Sequence, residues 1–133
     1  MDFDMDLAKD ESKNNPYFYA QYAYVRCCSI LAKSSFDPTN EIDLNEIASC
    51  YEITSKAINY PLILKEYALE RSPHSLVHFI KDFSATFHSF YEQNPVLTDN
   101  KIISNSRLLI TSITKLILKN SFKVLNVKPL EKM

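Results

Sequence analysis

Tyr19, Gln21, Tyr22 and Arg26 carry the most distinctive chemistry in this chain. Two phenol rings, a guanidinium and an amide stand close together, combining flat surfaces with hydrogen-bonding groups. Single-stranded nucleic acid is held by such sets, its unpaired bases lying on aromatic or guanidinium planes and its base edges met by polar atoms. At about 3.6 residues per turn, Tyr19, Tyr22 and Arg26 share one helical stripe beside a second one of Ala20, Ala23, Tyr24, Cys27, Ile30 and Leu31. On spacing alone two readings stand. Either the tyrosines form an exposed flank open to a base, or they widen the apolar face while Arg26 lays its aliphatic stem over it.

A helix must hold those residues at that spacing. Asn15 is a good N-cap and Pro16 a good first helical residue, so a helix is predicted from Pro16 to about Lys33, ended by the turn formers of Ser34 to Asn40. Asp43 followed by Glu46 reads as a capping box, opening a second helix from Leu44 to about Ala57 that Pro61 interrupts. A third segment, Pro61 to Glu70, carries Leu62, Ile63, Leu64, Tyr67, Ala68 and Leu69 and is apolar enough to be largely buried. Ser72 and Pro73 repeat the cap-then-proline start for a fourth helix. There Leu76, Phe79, Ile80, Phe83, Phe87 and Phe90 fall at helical spacing, which reads as core. After the connection Asn94 to Asn100, a final helix from about Lys101 to Leu125 is expected to bury Ile102, Ile103, Leu109, Ile110, Ile113, Leu116, Ile117 and Leu118. Lys115, Lys119 and Lys123 stand four residues apart on its outer side. Such a stripe is ordinarily a solvated face, but it is also a candidate for phosphate contacts.

Composition agrees with an all-α bundle of about five helices. The 133 residues are 46% hydrophobic, enough for a single core. They include no glycine, whereas hairpins generally need residues that accept positive φ. A formal charge of −1 gives no overall attraction to nucleic acid. Its distribution is uneven: Asp2, Asp4, Asp6, Asp10 and Glu11 crowd the start, while seven basic residues follow from Lys101 against Glu131. Three cysteines without metal-ligand spacing suggest reduced thiols and a cytoplasmic location. No apolar run is long enough to span a membrane. His74, His78 and Asp82 lie four apart but lack a convincing fourth ligand, so no metal site is expected. No catalytic constellation stands out, and without glycine there is no phosphate-cradling loop.

Longer stretches add a family likeness. Asp2-Phe3-Asp4-Met5-Asp6-Leu7-Ala8, followed by Asn15 to Leu31, resembles arginyl-tRNA synthetases where the catalytic domain passes into the helical DALR anticodon-binding domain. Pro73-His74, Phe87 to Tyr91, Pro95-Val96-Leu97, Arg107-Leu108, Val124-Leu125 and Pro129 to Met133 resemble later landmarks of that domain, in order. The resemblance implies that residues 1–14 are an acidic remnant of a catalytic domain or connector and that residues 15–133 are the anticodon-binding domain. It implies anticodon contacts by Tyr19, Gln21, Tyr22, Arg26, Tyr91 and Met133. The implied partners are an arginine tRNA and the enzyme's own catalytic domain in cis, with neither membrane nor DNA.

The parent would be an arginine-activating ligase using ATP with Mg. This segment, with no cofactor of its own and without the His-Ile-Gly-His and Lys-Met-Ser-Lys signatures, would be inactive alone. Because every arginine anticodon has cytosine in the middle, that base is the one expected to be read hardest. The chain departs from the family at Ser75, where an arginine is usual, and at His88, where an asparagine is usual. Asn126 replaces a glycine and tolerates the left-handed conformation, Ser121 replaces another and suits a plain helical position, and Lys132 replaces the closing arginine. A freestanding helical adaptor of the same fold, binding another RNA or a protein, is the alternative; the Asp2 to Ala8 segment argues for the larger enzyme.

Overall fold

A computed structural model describes residues 15–70 and 73–130. Five helices follow one another there: α1 Pro16–Ala32, α2 Leu44–Ser49, α3 Tyr51–Glu70, α4 His74–Gln93 and α5 Lys101–Val124. The described residues contain no strand, in agreement with the all-α expectation. The readings of residues 1–14, of the Ser72 cap and of Met133 fall outside the described residues.

Local chemistry sets most of the boundaries. The Asn15 side chain accepts from the N–H groups of Tyr17 at 3.0 Å and Phe18 at 3.3 Å, and Asn100 does the same for Ile102 and Ile103 at the start of α5. Asp43 caps α2 through Asn45 N–H at 2.8 Å, but the expected capping box is only half made. Glu46 accepts from Arg107 Nε at 2.7 Å, and the Asp43 N–H turns to Ser106 Oγ at 2.8 Å. A guanidinium is the stronger donor to a carboxylate than a neutral amide, so the tertiary partner wins. Pro73 is the N-cap of α4 and not its first helical residue.

The break expected at Pro61 falls instead at Cys50. There the backbone leaves helical geometry at φ −87° and ψ 49°. Its carbonyl accepts from both the N–H and the hydroxyl of Thr54, starting α3 afresh. Pro61 lies inside α3, where it removes one N–H from the ladder at an exposed position, while Ile53 and Tyr60 anchor the helix in the core. The burial expected of its second half is also corrected. Leu62 is 51% and Leu69 75% exposed, because only one side of α3 meets α4 and α5. Ile63, Leu64 and Tyr67 make the partial contacts.

The core is built on α4. Leu76, Phe79, Ile80, Phe83, Phe87 and Phe90 are all buried as expected. Phe79 stacks on Tyr60 at 5.5 Å and on Phe83 at 5.3 Å, and Tyr24 of α1 meets Phe122 of α5 edge-on at 5.9 Å. Small Ala20 and Ala23 are fully buried on α1. The inner stripe of α5 differs from expectation: Ile102, Ile113 and Leu116 are exposed, while Ser106, Thr111, Thr114 and Ser121 are buried beside Leu108, Ile110, Ile117, Leu118 and Phe122. Each of those four hydroxyls donates to the carbonyl four residues earlier, so it enters the core already satisfied. Ser121 Oγ also meets Tyr60 Oη at 2.9 Å.

Asn126, at φ 58°, is the single positive-φ residue among those described. It ends α5 as expected, with Val127 N–H on Phe122 O at 2.8 Å and Asn126 N–H on Lys123 O at 3.2 Å, the paired bonds of a left-handed helix stop. The tail then turns back across the bundle.

Candidate nucleic-acid interface

α1 presents Tyr19 and Tyr22 beside the C-terminal half of α4. Tyr22 is 41% and Tyr91 36% exposed, so neither ring is spent on the core. Between them stands Arg26, with its guanidinium carbon 4.9 Å from the Tyr22 ring centre and 4.5 Å from that of Tyr91. Its Nη2 donates to Tyr22 Oη at 2.8 Å. Both readings of the α1 stripe thus hold a part of the answer: Tyr22 is an exposed flank, and the Arg26 side chain lies over aromatic surface. Arg26 ties the two rings together and is not a free plane for a base.

His88 sits behind this trio. Its Nδ1 lies 3.3 Å from Arg26 Nη1, and its ring lies 4.9 Å from Tyr19 and 5.2 Å from Tyr22. Burial, reinforced by the guanidinium, pushes its pKa from 6.5 down to about 4, so the imidazole is neutral at physiological pH. Arginine can only donate, which makes Nδ1 the acceptor and puts the ring proton on Nε2. Tyr19 is half-buried; burial, with Glu92 nearby, raises its phenol above the ordinary value.

Tyr22, Arg26 and Tyr91 open onto a groove of about 640 Å³ whose other walls include Lys33, Pro95 and Leu97. The Pro95 wall is fixed from α5, where Arg107 Nη1 donates to Pro95 O at 2.8 Å while its Nε holds Glu46. Gln21 is used differently from Tyr22. Its Nε2 donates to Lys128 O at 3.0 Å and its Oε1 accepts from Leu130 N–H at 2.7 Å, so the amide clamps the tail against α1. Lys119 and Lys123 are exposed and Lys115 is half-buried, near enough to the buried Cys27 thiol to act on it. Asp82, weighed as a metal ligand, is ion-paired with Lys56 at 2.8 Å.

The structure therefore brings Tyr19, Tyr22, Arg26 and Tyr91 together and sets Gln21 beside the tail. His88 and Arg107 appeared in the sequence only as landmarks; their partners Arg26 and Glu46 stand 62 and 61 residues away, and Pro95 12 residues away on another element, which no local spacing reveals.

Fold and surface define a five-helix domain with a guanidinium-braced aromatic cluster beside an open groove. The sequence model of the DALR anticodon binding domain matches residues 20–133, and the chain belongs to that family. Its similar relatives include arginine–tRNA ligase 1 of Halalkalibacterium halodurans, 36% identical over the whole chain and 25% of the relative's length, and the arginine–tRNA ligase of Nitrosospira multiformis, 34% identical over the whole chain and 24% of the relative. The chain thus spans about a quarter of the curated relatives it matches. Among solved structures, the Plasmodium falciparum arginyl-tRNA synthetase superposes with a TM-score of 0.76 over 98% of this chain and 23% of its own, at 31% identity. The Thermus thermophilus arginyl-tRNA synthetase shares the fold, with a TM-score of 0.82 over the whole chain and 24% of its own at 24% identity.

Proposed function

We propose that this chain is the anticodon-reading domain of an arginine–tRNA ligase, and that the Tyr19, Tyr22 and Tyr91 surface receives unpaired bases of the anticodon loop. The observation that carries the reading is the pair of exposed rings braced by one guanidinium at the mouth of a groove, in a chain of the DALR family. Stacking on aromatic rings contributes about 1–3 kcal/mol per base, and two fixed rings offer more than one base a place. The middle cytosine, common to all arginine anticodons, is the base this reading assigns to the groove. Met133, outside the described residues, is assigned to the anticodon by the family resemblance alone, and Lys115, Lys119 and Lys123 are assigned to phosphates along α5.

The ligase reaction belongs to the part of the enzyme outside this chain, in the cytosol, acting in cis. The described residues hold no group of three His, Cys, Asp or Glu able to bind a metal ion, and the chain has no glycine for a phosphate loop. The domain's share is to hold the tRNA by its anticodon while chemistry proceeds elsewhere.

An RNA hairpin bearing an arginine anticodon tests the reading. The chain should bind it, and changing the middle cytosine to adenine should weaken binding at least tenfold. Tyr22→Ala and Tyr91→Ala should each cost about 1–3 kcal/mol of affinity with an unchanged melting temperature. Equal affinity for both hairpins would overturn the assignment.

A further inference from the structure

We propose that His88 is a positioning residue for RNA recognition: its Nδ1 and ring hold Arg26 against Tyr22 and Tyr91, presetting the spacing of the stacking surfaces before RNA arrives. The inference rests on the anticodon-reading function proposed above. His88 is only 8% exposed, so it acts through its neighbours and not by touching a base.

Three observations converge on this role. The first is the acceptor: Arg26 Nη1 has His88 Nδ1 at 3.3 Å, as Nη2 has Tyr22 Oη at 2.8 Å. Both terminal nitrogens of the guanidinium are thereby fixed, and with them its plane. The second is the ring, which fills a slot among Tyr19 at 4.9 Å, Tyr22 at 5.2 Å and Phe87 at 6.1 Å. A flat side chain fits there, and Tyr22 is supported from its inner side. The third is a cost. Nε2 of His88 is buried with no hydrogen-bond partner, and an unpaired buried N–H opposes folding. Phenylalanine would fill the same slot without that cost; what imidazole adds is the acceptor facing Arg26.

The benefit is preorganisation. Arg26 is rotamer-rich and the exposed Tyr22 and Tyr91 rings can turn about χ1, and ordering the three at the moment of binding would subtract from affinity. Held in advance by His88, they meet the RNA with that entropy already lost in the folded chain.

The test compares His88→Phe, which keeps the ring and removes the acceptor, with His88→Gln, which keeps an acceptor on a flexible stem. His88→Phe should melt at or above the temperature of the unmutated chain yet bind the anticodon hairpin at least tenfold more weakly, and His88→Gln should recover part of the loss. Full affinity in a folded His88→Phe chain overturns the proposal and makes His88 a packing residue. If Tyr91→Ala also leaves binding unchanged, the anticodon reading itself has failed, which separates the two. A second measurement needs no variant: imidazole ¹⁵N resonances at pH 7 should show Nε2 protonated and Nδ1 as an acceptor. A ring carrying its proton on Nδ1 overturns the inference however the variants fold.

Discussion

An imidazole wedged beside a guanidinium is compatible with the fold only while it is neutral. The folded pKa of His88, about 4, lies below the ordinary 6.5, so as pH falls the unfolded chain takes up this proton first. Its contribution is fully present above about 6.5 and is lost as pH falls toward 4. The groups facing it are Arg26, Tyr19 and Tyr22 on α1 and Phe87 on its own helix. Urea midpoints measured from pH 7 to pH 4 should therefore drop more steeply for the unmutated chain than for His88→Phe; parallel curves would contradict the assignment. Arg107→Leu should cost about 1.5–3 kcal/mol, because it removes charge-assisted bonds to Glu46 and Pro95, and chemical denaturation reads this directly. Asn15 and Asn126 were legible in the sequence because a cap or a helix stop depends on neighbours within a few residues. Arg26 was legible as part of an aromatic stripe, but its two-ring embrace was not, since Tyr91 and His88 reach it from another helix.

Helices follow rules of their own, and Pro61 shows where those rules bend. A proline interior to a helix costs about 3 kcal/mol against alanine, and α3 nonetheless runs unbroken from Tyr51 to Glu70. Pro61→Ala, at an exposed position, should accordingly raise stability by about 1–3 kcal/mol in thermal melting. Phe83→Ala should lower it by about 3–5 kcal/mol, since that ring is fully buried and stacked on Phe79. The α4 stripe was readable because six large apolar residues at one spacing admit one orientation. The inner face of α5 was misread because Ser and Thr count as polar in any periodicity. Once their hydroxyls bond back to the carbonyl of the preceding turn, they are buried as small residues, and Ile102, Ile113 and Leu116, credited to the core, turn outward.

At the scale of the whole molecule, helix number and order and the buried stripe of α4 followed from caps, turns and periodicity, though the break before α3 did not fall where Pro61 suggested. The groove did not, because it lies between α1 and the loop before α5, which only the tertiary fold brings together. Charge acts at this scale too. Lys119→Ala should weaken binding to every RNA hairpin alike and reduce the salt dependence by about one unit of slope, as loss of a phosphate contact does; a loss confined to one hairpin sequence would argue instead for base reading. The Gln21 clamp adds a consequence in time. Its bonds join positions 107 and 109 residues apart, and closing so long a loop costs on the order of 4 kcal/mol in chain entropy before any constant term. Two exposed amide bonds cannot offset that cost by themselves, so the clamp forms only after the bundle has assembled, past the folding barrier. Gln21→Ala should therefore leave the refolding rate nearly unchanged and speed unfolding several-fold in stopped-flow traces. The clamp is a brake on unfolding: it lengthens the lifetime of the folded chain and has no part in how fast that chain is reached.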